Sequence, residues 1–387
     1  MSLITDTGAL AALCARLAET PFICLDTEFM RESTFWPKLC LVQIAGPDGV
    51  ASAIDPLAEG IELAPLLDLL NDSGILKVMH AARQDLEIFY NLSGRVPVPL
   101  FDTQVAAMVC GFGEAAAYEK LARKLARAKI DKSSRFTDWS KRPLTDRQLT
   151  YALADVEHLP TIYEKLSTSL EESRRGPWVK EEMAVLTAED VYAMRPEDAW
   201  RRIKTRTVAP DFLAVLREVA AARERYAQSH DVPRQRVLRD DAILEIAAHR
   251  CADLDELGRI RGMSKGLLKG PLGPAMVEAV AAGIAVPEDE RPTLAKAKSA
   301  PRGVGPLVEL LKVLLKMRCE ENDVAVKLVA SSADLERIAA DDAADVPAMH
   351  GWRRSLFGDD ALALKRGELA LTAEGGRIAL IELEDEA

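Results

Sequence analysis

No stretch of this chain is apolar for long enough to cross a bilayer as a helix, and the mean hydropathy is −0.04. A membrane partner is therefore not expected. The opening residues, Met1-Ser2-Leu3-Ile4-Thr5-Asp6, lack the basic segment and apolar core of a secretory leader. Cysteine is sparse and unpatterned. Cys14, Cys24, Cys40, Cys110, Cys251 and Cys319 are scattered and form no CxxC pair, which excludes the usual zinc cage and points to free buried thiols in a reducing cytoplasm. A Gly-rich Walker loop is missing, as is any Ser/His/Asp or Cys/His arrangement. Positive charge is also in deficit, with a net −11, and taken over the whole chain that argues against a nucleic-acid partner. The deficit is not uniform. Residues 120–147 hold ten Lys/Arg against three Asp/Glu, and residues 195–239 hold eleven against six.

What is present reads as an α/β unit followed by an all-helical tail, and 387 residues suffice for two or three domains. A helix is expected over 7–19, then apolar strands over 22–28, 39–45 and 50–54, with the turn Gly46-Pro47-Asp48-Gly49 before the third. These three strands predict an antiparallel meander. Strand and helix then alternate: helix 61–71, strand 75–79, helix 82–91, strand 100–101 and a helix capped by Asp102. Residues 116–128 read as a basic helix and 131–144 as a mobile loop. Thr145 and Gln148 form a capping box for one long helix to about 170.

Beyond Gly176-Pro177, helices are expected at 179–208, 211–230, 239–250 and 253–260, and again at 307–322 and 331–340. Pro287, Pro292, Pro301 and Pro306 mark a linker between the two helical groups. Ala252-Asp253-Leu254-Asp255 recurs as Ala333-Asp334-Leu335-Glu336, which reads as a weak internal repeat. Alternation on either side of Gly375-Gly376 predicts a closing hairpin.

The chemistry rests on carboxylates. Asp26 and Glu28 stand two apart at the end of the apolar run Phe22-Ile23-Cys24-Leu25, so both project to one side of a strand. Like charges at the edge of a core are costly unless neutralised, and hard oxygen ligands suit Mg2+ or Mn2+. Asp85 falls in the first turns of a helix, where a carboxylate is ordinarily a dipole partner. Tyr151 and Asp155 are four apart and share a helix face. Each feature alone is unremarkable. Together the four acids can hold two divalent metal ions about 3.5–4 Å apart, as in-line phosphoryl displacement requires, with Tyr151 orienting the attacking water.

The ordered motifs Leu25-Asp26-Thr27-Glu28-Phe29, His80-Ala81 with Asp85-Leu86-Glu87, and Tyr151-Ala152 with Asp155-Val156 resemble the ribonuclease D family of the DEDDy exonuclease class. Ile54-Asp55-Pro56, Asp102-Thr103-Gln104, Asp131-Lys132-Ser133, Thr137-Asp138-Trp139 and Arg142-Pro143-Leu144 extend the resemblance over about 20–160. It implies a ribonuclease H-like mixed-sheet exonuclease domain and removal of single nucleotides from RNA 3′ ends, tRNA precursors included. It also implies Asp26, Glu28, Asp85 and Asp155 as metal ligands and Tyr151 as the water-orienting residue. The tail resembles two HRDC modules, the second divergent. The resulting division is 1–176 exonuclease, 177–208 connector, 209–285 first HRDC module, 286–304 linker, and 305–387 second HRDC-like module with its hairpin.

Candidate RNA contacts are Thr27, Phe29 and Met30 at the terminal nucleotide and Lys132, Arg135 and Arg142 on the backbone. Phe136 and Trp139 are candidates for base stacking, while His158 is read as an ordinary helix residue. A monomeric RNA exonuclease without a small-molecule cofactor is favoured. A DNA 3′→5′ exonuclease and a non-catalytic RNA-binding protein are the alternatives.

Overall fold

The computed structural model describes residues 2–130, 137–294 and 303–383. Six strands form one mixed sheet in the order β1-β4-β3-β2-β5-β6. They are β1 (Ser2–Ile4), β2 (Phe22–Met30), β3 (Lys38–Ala45), β4 (Ala51–Ile54), β5 (Leu76–Met79) and β6 (Leu100–Asp102). β2, β3 and β4 make the expected antiparallel meander, while β5 joins β2 in parallel and β6 joins β5 in parallel. The edge strand β1 was not anticipated. It is three residues long and has no period to read, and only its parallel pairing with β4 makes it a strand.

Strand β2 divides its side chains between two helical layers, because successive residues point to opposite faces. Ile23 and Leu25 enter the main core with α1 (Thr7–Ala18), α2 (Ala64–Asn71) and α3 (Arg83–Ser93). Phe22 and Cys24 face the other way, toward Val156 and Leu159. Next along the chain come α4 (Thr103–Val109) and a short α5 (Tyr118–Leu121) that runs into a π-helical turn, Ala122–Ala126. The basic helix expected over 116–128 is thus replaced by these two shorter pieces. Two helices, α6 (Asp146–Glu157) and α7 (Leu159–Glu172), replace the single helix expected to about 170. Pro160 lacks the N–H that would continue the ladder, so the helix breaks at His158.

After α8 (Gly176–Leu186) a helical module has its own core. It comprises α9 (Pro210–Ser229), α10 (Arg234–Val237), α11 (Asp240–His249), α12 (Leu254–Leu257), α13 (Lys265–Lys269) and α14 (Leu272–Ala285). The exonuclease unit contributes to that core. Phe35, from the loop after β2, is only 6% exposed within it. The N–H groups of Phe35 and Trp36 both donate to Asp231 Oδ1 at 2.9 Å, and the Arg234 guanidinium lies 5.0 Å from the Phe35 ring.

A third unit comprises α15 (Gly305–Glu321), α16 (Val326–Val329), α17 (Ser332–Ala340), α18 (Gly351–Arg353) and α19 (Asp359–Arg366). The hairpin of β7 (Leu369–Glu374) and β8 (Arg377–Glu382) follows as expected, with Gly375 and Gly376 both in the left-handed region. This unit docks on α8, where Trp178 stacks on Trp352 at 4.5 Å and Glu182 pairs with Arg353. The apparent repeat does not survive in geometry. Asp253 is the N-cap of α12, whereas Asp334 stands at the N3 position of a capping box begun by Ser331. The matching residues stand in different registers of their helices.

The insertion of Phe35 makes the first helical module part of the exonuclease framework. Phe35→Ala is expected to lower unfolding free energy by about 3 kcal/mol and to open the 31–37 loop to protease. A urea titration and a limited digest check both.

Candidate active site

The end of β2 delivers the first pair of carboxylates. Asp26 and Glu28 follow Phe22 and Cys24 on the face toward α6 and α7, as the two-residue period requires. A register shift against β3 follows immediately, between Glu28 and Phe29, and such bulges re-aim a strand at its end. Thr27 points to the opposite face. There its hydroxyl donates to Asp85, in the first turn of α3. Thr27, expected as a substrate contact, has its hydroxyl taken by this bond, and its side chain is buried and anchors a carboxylate.

Asp85 is held by a second device. Ala81 adopts φ +58° just before α3. The N–H groups of Ala81 and Ala82 donate to the two oxygens of Asp102 at 3.1 and 2.8 Å, and the same carboxylate caps α4 through Gln104 N–H at 2.8 Å. Asp102 does act as the expected cap. Its clamp on the turn before Asp85 was hidden, because twenty residues separate the partners.

Helix α6 delivers the remaining pair. Thr145 and Gln148 close the expected capping box, and Tyr151 and Asp155 lie one turn apart on the face lining a cavity of about 680 Å³. Asp26, Thr27, Glu28 and Phe29 line the same cavity. Asp85 lies buried behind Thr27 and does not line it. His80, Gln84, Gln104, Tyr118 and Glu119 complete much of the wall. The sequence analysis assigned these five no chemical role, although His80 and Gln104 fall within the resembling motifs. Among the described residues, no Lys or Arg contributes to the lining.

This composition sets the electrostatics. Burial raises every member of the set. Asp26 is pushed well above the usual carboxylate range, first by burial and then by repulsion from Asp85, Asp155 and Glu28. Glu28 is pushed up to about 8 by burial, with Asp155 and Asp85 adding to it. Asp85 rises to about 7 through burial, against the opposing pull of the Thr27 hydrogen bond. Asp155 rises to about 7 through burial and the nearby Glu119. The donor set is one of hard oxygens in want of positive charge, which fits a divalent cation chemically. Among the described residues, no three His, Cys, Asp or Glu groups already stand together as a ready metal cage.

The other candidates divide sharply. Phe29 keeps its place on the cavity wall. Met30 instead packs with Cys40, Leu41, Trp139 and Leu144. Trp139 is 2% exposed, with its ring 6.0 Å from that of Tyr151, so it supports the site from within and offers no face to a base. Arg142 is engaged at all five donors. Its Nε and one terminal nitrogen reach the two Asp55 oxygens, each at 2.6 Å, and the carbonyls of Trp139, Lys141 and Cys40 take the rest. The expected phosphate contact through Arg142 gives way to a brace between β3, β4 and the segment before α6. Lys132, Arg135 and Phe136 lie outside the described residues.

A family model described as a 3′-5′ exonuclease matches residues 1–171, and one described as the HRDC domain matches 212–280. A ribonuclease D of Nitrobacter hamburgensis is 52% identical over 99% of this chain and 100% of its own length. One from Jannaschia is 49% identical over 98% and 99%. The chain belongs to the ribonuclease D family. It is accordingly an exoribonuclease. The crystal structure of Escherichia coli RNase D, described as an exoribonuclease involved in structured RNA processing, superposes with a TM-score of 0.79. That match is at 30% identity and covers 95% of this chain and 98% of the other. Within this ribonuclease D-type chain the HRDC match falls on α9 to α14, the module that holds Phe35.

The raised carboxyls give a sign to the pH response. Each holds its proton in the folded chain above the ordinary carboxylate range of about 4, where the unfolded chain has released it. Their stabilising contribution is complete below that range and is lost as pH climbs through about 7 to about 8. In chelator, the melting temperature is expected to fall between about pH 5 and about pH 8.5. A saturating divalent cation should flatten that fall by replacing the protons. A melting temperature that rises with pH in chelator would contradict the assignment.

Proposed function

We propose that this chain is a divalent-cation-dependent 3′→5′ exoribonuclease that trims RNA 3′ ends one nucleotide at a time. The observation that carries the reading is the convergence of Asp26 and Glu28 from β2 with Tyr151 and Asp155 from α6 on one cavity. Asp26, Glu28, Asp85 and Asp155 are the residues to hold two cations, Mg2+ or Mn2+. When bound, the cations supply Lewis-acid stabilisation of the charge that builds on the phosphodiester oxygens.

The chain's own residues do the rest. Asp26, Glu28 and Asp155 lie on the cavity wall, and Asp85, anchored by Thr27, completes the ligand set. The Tyr151 hydroxyl orients a water for in-line attack on the terminal phosphorus. The bond from phosphorus to the 3′ oxygen of the preceding nucleotide breaks, and a nucleoside 5′-monophosphate leaves. Phe29 is placed on the wall to pack against the terminal nucleoside. Lys132 and Arg135 remain candidates for the RNA backbone.

For substrate we infer structured RNAs with 3′ extensions, tRNA precursors among them, processed by a monomer in the cytoplasm. The relative from Escherichia coli, described by its part in structured RNA processing, supports this choice, and six free cysteines accord with a reducing compartment. The division into 1–176, 177–208, 209–285, 286–304 and 305–387 follows from the same reading. We take the last unit as a divergent HRDC-like module that serves mainly as a packing partner, in line with its Trp352 stacked on Trp178.

The test is digestion of a 5′-labelled, 3′-extended tRNA and a matched DNA strand, with and without chelator. A ladder of single-nucleotide losses from RNA that vanishes with chelator is expected. Internal cuts, or faster digestion of DNA, would overturn the reading. Asp155→Asn should abolish trimming while leaving RNA affinity within about threefold, and Tyr151→Phe should lower kcat by about 10²-fold with cation affinity retained. Wild-type rates in either variant would remove that residue from the assignment.

A further inference from the structure

The helix that carries Tyr151 and Asp155 breaks just beyond them, and a side chain from elsewhere fills the break. α6 ends at Glu157 and α7 starts at Leu159. At this junction the His158 amide turns to the Val156 carbonyl. The Ala154 carbonyl, whose regular partner is the amide four residues on, is thereby released. The Tyr118 hydroxyl donates to it at 2.8 Å. One hydroxyl thus stands in for the missing donor to Ala154. Ala154 immediately precedes Asp155.

Tyr118 is also built into the opposite wall. Its ring sits edge-on to His80, with centroids 5.7 Å apart. His80 is fixed through Nδ1 to the Thr103 hydroxyl at 2.9 Å, and that hydroxyl donates to the Met79 carbonyl at 3.0 Å. His80 opens the turn that leads into α3 and Asp85. Tyr118 therefore touches both segments that bring carboxylates from outside β2, and it lines the cavity between them.

We propose that Tyr118 is a positioning residue of the exonuclease site, which replaces the broken rung at Ala154 and so sets the aim of the Asp155 carboxylate. The inference rests on Asp155 being a metal ligand. The hydroxyl is the part required, because it is the donor that satisfies the released Ala154 carbonyl. The ring alone supplies only packing, against His80 and the cluster around Val156 and Leu159.

The full-length chain is compared as wild type, Tyr118→Phe, Asp155→Asn and the double variant. Mn2+ affinity is measured by calorimetry, turnover on 3′-extended RNA, and the melting temperature in chelator. Tyr118→Phe keeps the ring and should bind Mn2+ about tenfold more weakly, with kcat about tenfold lower and KM within about twofold. Asp155→Asn should bind Mn2+ more weakly still, and the double variant should be no worse than Asp155→Asn alone. Unchanged Mn2+ affinity in Tyr118→Phe overturns the proposal, as does a full additive loss in the double variant. Failure of Tyr118→Phe to fold overturns it too, since the hydroxyl would then be a determinant of folding. Wild-type Mn2+ affinity in Asp155→Asn overturns the ligand assignment beneath it instead.

Discussion

Confinement of like charges is the constraint on which this structure turns. Asp26, Glu28, Asp85 and Asp155 are held close enough to raise one another's proton affinity, in a site where burial already disfavours charge. Left free, side chains in such a set would swing apart into water. The fold resists this with fixed backbone: a strand end, a helix start and a helix end, each pinned by its own hydrogen bonds. Thr27 holds Asp85, Asp102 holds the turn before it, and Tyr118 closes the gap beside Asp155. The cost of that repulsion is what makes the site receptive to cations.

The helical units extend the same bracing. Phe35 leaves the strand of Asp26 and Glu28 and is buried in the core of the HRDC module, with two backbone amides fastened to Asp231. The last unit is fastened to α8 by the Trp178–Trp352 stack and the Glu182–Arg353 pair. Arg142 acts likewise within the exonuclease unit, where its five donors are spent on protein acceptors. A basic residue beside an active site need not face the substrate. The buried Asp55 and three carbonyls compete for this one at short range.

Much was readable from local pattern. The apolar run 22–25 with Asp26 and Glu28 read as a strand with two acids on one side, and Thr145 with Gln148 fitted the start of a helix. Glycine at 375 and 376 was a turn by its conformational freedom, and it proved to be one. Failures came where two distant segments decide together. β1 is a strand only because β4 lies beside it. The helix through 145–170 breaks where Pro160 removes an amide and Tyr118, forty residues earlier, supplies a hydroxyl. The repeated Asp-Leu pair at 253 and 334 misled because identical residues can occupy different cap positions.

The sequence was therefore enough for the family and the order of the main elements, which depend on residue type and short-range spacing, and it singled out the acids as candidates. Folding in space settled how the acids are held and which neighbours act on them. Thr27 became an anchor because alternation turns it toward α3, and Arg142 became a brace because Asp55, just past the end of β4, comes within reach. Hydrogen bonds and repulsion act over a few ångströms, and their partners here lie tens of residues apart along the chain. Only the tertiary fold brings them within range.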